Sequence, residues 1–127
     1  MMNCQEINNR KIIWHAMSDL FLDTDVNLSY ENIVIKCASS IYFIDELYEI
    51  LISEVAPACS FNLYDIAGEW AGFDEEWLEQ RIVKVMHRKN SFFSKLYSSI
   101  GNSMTRKYVD KHWNELLPKI LEKRNIA

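Results

Sequence analysis

Three histidines, three cysteines and eighteen carboxylates are the groups in this 127-residue chain with chemistry to offer. His15, His87 and His112 stand far apart, with no His-x-x-x-His or His-Glu-x-x-His pair, so their spacing builds no zinc site. Cys4, Cys37 and Cys59 are odd in number and widely separated, which suits reduced thiols better than a disulfide frame. Cys37 beside a histidine would make a nucleophile and base, but a cysteine at an apolar helical position reads first as a small buried hydrophobe. Asp23-x-Asp25 with Asn27 resembles the start of a calcium loop. Leu28 and Val34 occupy the places where such a loop needs its glycine and its last glutamate, so a helix end accounts for these acids better. No glycine-rich phosphate loop or Gly-x-Ser-x-Gly elbow occurs, and no cofactor is expected.

The carboxylates are informative through their distribution. Between Lys36 and Arg81 there are ten acids and no lysine or arginine: Asp45, Glu46, Glu49, Glu54, Asp65, Glu69, Asp74, Glu75, Glu76 and Glu79. From Arg81 onward the chain carries eleven bases against three acids, so the net charge of −4 conceals a separation of sign. A nominated acid–base pair means little when carboxylates are this plentiful and no cleft is in view. A tract without bases cannot neutralise itself locally, which points to a negative face for a basic partner, with the solvated helix surface as the plainer alternative. The bases Arg81, Lys84, Arg88, Lys89, Lys95, Arg106, Lys107 and Lys111 would suit phosphates, but they alternate with apolar residues as on any solvated helix. Nucleic acid is therefore the weaker reading, and these bases have the acidic half of the same molecule to answer.

Helices must position these groups. Only three glycines and two prolines occur, and 49% of residues are hydrophobic, which suits helices joined by short connections in one domain. The spacing predicts a first helix over 5–22, with Ile13, Trp14, Met17, Leu20 and Phe21 inward. Ser29 reads as the N-cap of a second over 30–39, with Ile33 and Cys37 inward and Ile41 a further candidate for the same face. A third, over 42–55, buries Ile44, Leu47, Tyr48, Leu51 and Ile52, exposes Asp45, Glu46, Glu49 and Ser53, and is closed by Pro57. Residues 58–73 are irregular; there Gly68 and Gly72 flank Trp70, with Trp70 packed inward and Glu69 outward. Asp74 caps a fourth helix over 75–89, stapled by Phe73 and Leu78. A fifth covers 92–100, and a last begins at Asn102 or Ser103 and kinks or breaks at Pro118. The β-branched run Asn32-Ile33-Val34-Ile35-Lys36 is the only segment with a strand-like composition. The expected fold class is all-α, a single-domain bundle of about five to seven helices over 1–127. The N-terminus has no signal-like apolar run and no stretch approaches the length of a membrane span, so a cytoplasmic location is expected.

Two stretches, 17–25 (MSDLFLDTD) and 62–73 (NLYDIAGEWAGF), resemble signatures of a family of small bacterial proteins. The size and make-up are also similar to the immunity proteins of contact-dependent growth inhibition and related polymorphic toxin systems. That resemblance implies a cytoplasmic, non-catalytic protein that binds and blocks one cognate toxin domain, in many cases a nuclease with a basic cleft. It carries over no functional residue position by position. The candidate toxin-binding residues come instead from the acidic tract: Asp45, Glu46, Glu49, Asp65, Glu69, Glu75 and Glu76. Two other classes compete. One is a small enzyme with a cleft between helices, and the other is a nucleic-acid accessory protein using the basic C-terminal helices.

Overall fold

Ile13, Met17 and Leu20 close onto one side of helix α1 (Cys4–Ser18), which ends in a single 3-10 turn, Asp19–Phe21. Together with Trp14 and Phe21 they are almost wholly buried. The computed structural model describes residues 4–21, 29–59, 75–87 and 102–126, and among these every regular element is helical. α2 is Tyr30–Ala38 and α3 is Ile44–Ile50. A wide π-helical turn, Leu51–Val55, carries α3 without interruption into α4, Ala56–Cys59. α5 is Glu75–His87 and α6 is Asn102–Ile126. The chain is thus an all-α, single-domain bundle. Asp23, Asp25, the 58–73 segment beyond Cys59, Asp74 with its staple residue Phe73, and the helix expected over 92–100 lie outside the described residues.

The β-branched run folds as α2 because Ile33, Val34 and Cys37 find buried places there, and tertiary packing outweighs a weak local preference. α2 makes its most extensive contact with α6, whose Val109, Leu116 and Ile120 face inward. α1 lies against α2, the π turn and α5. α5 inserts Leu78 and Ile82 beside α1 and α4. Each buried aliphatic or aromatic side chain contributes roughly 1.5–3 kcal/mol of transfer free energy, so this shared core holds the bundle together.

Four local expectations change. Ser29 occupies the N-cap of α2, but its backbone is already helical (φ −90°, ψ −11°) and its hydroxyl makes no capping bond. Pro57 does not close the third helix; it is the second residue of α4. A proline there removes one N–H and crowds the carbonyl of Ser53, and the wider π turn just before it relieves that crowding. Pro118 does not break α6. Both Pro118 and Asn114 are exposed, so the lost hydrogen bond falls on the solvent side of the helix, where an unpaired carbonyl costs least. Ile41 is not inward but 72% exposed, because α2 ends at Ala38 and the chain turns and bends through 39–41, leaving the helical register before it becomes extended at Phe43.

Candidate interaction surface

Five of the seven selected carboxylates fall within the described residues, and all five are exposed. Asp45, Glu46 and Glu49 lie on α3, and Glu75 and Glu76 open α5. Asp65 and Glu69 lie outside the described residues. The structure gathers the first three on one short helix. The other two start a helix that packs on α1, the π turn and α4. Acids in the first turn of each helix face the positive end of its dipole, which favours them there without any basic partner. Glu46 also accepts a hydrogen bond from the Phe43 N–H (3.0 Å), half of a capping box. Glu49 accepts from the Ser53 hydroxyl (2.5 Å) and Glu76 from the Gln80 amide (3.3 Å). Among the described residues none of the five is in an ion pair.

Two other acids of the tract behave differently. Glu54 is buried in the π turn, where Oε1 accepts from Arg10 Nε (3.2 Å) and Trp14 Nε1 (2.8 Å) and Oε2 accepts from the Arg10 guanidinium (3.1 Å). Burial works to lower the Arg10 pKa, but the Glu54 carboxylate and, after it, Tyr42 together outweigh it and the net shift is upward. Glu79 bonds Lys11 Nζ (3.0 Å) and His15 Nε2 (2.7 Å), and these bonds hold its carboxyl below the usual range although burial acts the other way. The bases paired with the tract's described acids therefore come from α1. Among the described residues, none of the ion pairs uses a base of the C-terminal helices.

Glu54 is the polar residue that sequence reading missed. Its signal was available: position 54 follows Leu47, Ile50 and Leu51 by seven, four and three residues, on the stripe that faces inward. Arg10 and Trp14 are likewise four apart and share one side of α1.

One further cluster bears on the enzyme reading. Tyr30 on α2 donates its phenolic hydrogen to Glu115 Oε2 (2.9 Å) and sits against His112 Nδ1, both on α6. With that hydrogen committed, the remaining contact requires a His112 Nδ1–H donor. Burial and the Glu115 bond push the Tyr30 hydroxyl up, while burial and Lys111 push His112 down against the opposing pull of Glu115. A phenol harder to ionise and a neutral imidazole committed to it make a staple between α2 and α6, with neither group poised as base or nucleophile. An open groove of about 660 Å³ runs beside it, lined by Tyr30, Glu31, Val34, Ile35, Glu115, Lys119 and Lys123. Cys37 is buried, and burial pushes its thiol up to about 12, the reverse of a reactive cysteine. Among the described residues no three metal-ligating side chains converge, and no helix is long and apolar enough to cross a membrane.

Of the bases considered for phosphate contact, Lys84, Arg106, Lys107 and Lys111 are exposed and Arg81 is half-buried, while Arg88, Lys89 and Lys95 lie outside the described residues. Glu115 and Glu122 share the exposed side of α6 with its lysines, which dilutes any basic stripe.

Residues 8–119 match a family described as a domain of unknown function (DUF7079), and the chain belongs to that family. No curated protein and no solved structure matches the chain.

Proposed function

We propose that this DUF7079 protein is a non-catalytic binding module, an immunity protein that neutralises a cognate toxin domain by presenting it with the acidic side of α3. One observation carries the reading. Asp45, Glu46 and Glu49 are exposed and in no ion pair among the described residues, whereas the deeper acids Glu54 and Glu79 are each matched by a base of α1. Unanswered exposed carboxylates steer a basic partner into encounter and set its orientation, which is what a nuclease cleft built for phosphates would meet. Likeness in size and make-up to toxin-system immunity proteins supplies the biological setting.

The test is co-expression with the C-terminal domain of a large secreted effector encoded beside this gene. The expected result is restored growth of the toxin-producing cell, co-purification of the two chains, and an association rate that falls roughly tenfold between low and high salt. Failure of that domain to bind, or protection that survives reversal of Asp45, Glu46 and Glu49 to lysine together, overturns the reading.

A further inference from the structure

The corner between α2 and α3 holds the two most exposed large apolar side chains among the described residues, Ile41 at 72% and Phe43 at 76%. The turn between the two helices places them. The chain bends at Ser40 and Ile41 and is extended at Phe43 (φ −70°, ψ 161°), and Ile41 and Phe43 are exposed while Tyr42 between them is buried. The corner is firmly held. Arg124, at the far end of α6, donates to the carbonyls of Cys37 (3.0 Å), Ala38 (3.3 Å) and Tyr42 (2.6 Å). The Tyr42 ring lies under the Arg10 guanidinium, 5.5 Å from its centroid. Four amides of the corner are also bonded: Ser39 and Ser40 to carbonyls of α2, Tyr42 to the Ser40 hydroxyl, and Phe43 to Glu46. A remote guanidinium thus caps α2 and fixes the chain leading into α3, with its apolar side chains turned to water.

Resting on the binding-module reading above, we infer that Ile41 and Phe43 are the anchor of the docking surface, and that the partner is a protein face offering an apolar pocket flanked by lysine or arginine. An aromatic anchor on a pre-ordered backbone loses little entropy on binding, and such residues dominate affinity at the centre of an interface. Charge selects the occupant. Glu46 bonds the very N–H of Phe43, and Asp45 and Glu49 stand exposed on the following turns, so carboxylates border Phe43 on its α3 side, while the Arg124 guanidinium is turned to the backbone carbonyls of the corner. A symmetric contact with a second copy would set these acids against themselves, and an anionic membrane or nucleic acid would be repelled. A basic protein surface satisfies both the apolar pair and its border.

The probe is β-cyclodextrin bearing primary ammonium groups on one rim, an apolar cavity of Phe-sized bore edged with positive charge. Neutral and sulfated β-cyclodextrin serve as controls. Titrated into the 15N-labelled full chain, the ammonium form should shift the amides of residues 40–46, bind about tenfold more tightly than the neutral form, and weaken with salt. The sulfated form should not bind there. Phe43→Ser, at a position too exposed to threaten the fold, should remove the shifts. Arg124→Ala should speed amide exchange over 39–43 and weaken binding about threefold with Phe43 still present, and Arg124→Lys should not restore it, because one ammonium nitrogen cannot stand where both Nε and Nη2 donate. Shifts centred elsewhere, equal binding of the three cyclodextrins, or unchanged binding to Phe43→Ser would each overturn the inference. In the toxin assay, protection that needs the α3 acids but tolerates Phe43→Ser sinks the anchor and leaves the immunity reading standing. Probe binding at the corner without toxin protection does the opposite.

Discussion

Glu49 and Glu54 are five residues apart on one continuous helical run, yet they belong to different parts of the protein's physics. Glu49 is exposed, and among the described residues its carboxylate is bonded to its neighbour Ser53. Glu54 is buried and fully bonded by Arg10 and Trp14, forty residues and more away. One acid is available to a partner and the other is spent inside the fold. The lesson is that a charge tract read as a block mixes two populations, and only burial separates them. An exposed acid changes encounter and orientation, while a buried, bonded one changes whether the chain folds.

The sharpest way to break this contrast is at Glu54. Glu54→Ala leaves the partly buried Arg10 charge and the Trp14 N–H without their acceptor. Breaking a buried pair from one side costs about 3 kcal/mol, so the thermal midpoint should drop by roughly 10 °C, read by circular dichroism. Glu54→Gln should lose less, because its carbonyl oxygen still accepts from Trp14. A melting curve for Glu54→Ala that overlays the wild type would show that the buried carboxylate contributes nothing to the fold.

Tyr30→Phe tests the α2–α6 staple and comes next in size. It removes the hydroxyl bonded to His112 and Glu115 while keeping the ring. The expected cost is about 1–2 kcal/mol in urea unfolding, since a charged acceptor and a buried imidazole both lose their partner. If the Tyr30 and His112 pair were catalytic instead, the substitution would abolish an activity and spare stability.

How much of this was legible in the sequence divides along the same line. Local periodicity gave the helices of the described residues and the inward stripe of α1, because the core residues recur at helical intervals. It also placed Asp45, Glu46 and Glu49 on the outer side of α3. It failed where a distant residue decides. Nothing near Ile41 announces that Arg124 will hold the chain in a bend there, so a side chain in helical register with Ile33 and Cys37 turned outward instead. Pro57 and Pro118 read as stops because the rule is local. A π turn upstream of one, and solvent beside the other, let the helix continue.

Glu79 lies between the two populations, since it is paired with Lys11 and His15 but still about a quarter exposed. Its folded pKa is lowered, so its stabilisation is present above the unfolded carboxylate value and disappears as pH falls through the folded one. Part of the acid-limb loss of stability below about pH 4.5 should therefore vanish in Glu79→Gln. Screening at a partly exposed pair keeps the effect under about 1 kcal/mol. Chemical denaturation at pH 7 and pH 3 checks it, and a wild-type-sized pH difference in the variant would show that the pairing adds nothing.

The smallest expected effect is the most telling. Asp45→Lys with Glu49→Lys should move stability by less than about 0.5 kcal/mol each, the ordinary range for exposed substitutions, with a further few tenths lost where positive charge meets the N-terminal dipole of α3. Glu46→Lys should cost somewhat more, roughly 0.5–1 kcal/mol, because it also gives up the capping bond to the Phe43 N–H. A triple variant that stays folded is what makes any binding loss interpretable as lost steering. If the triple variant unfolds as readily as Glu54→Ala, the α3 acids belong with the buried population, and the distinction between a face that docks and a charge that folds has no basis in this chain.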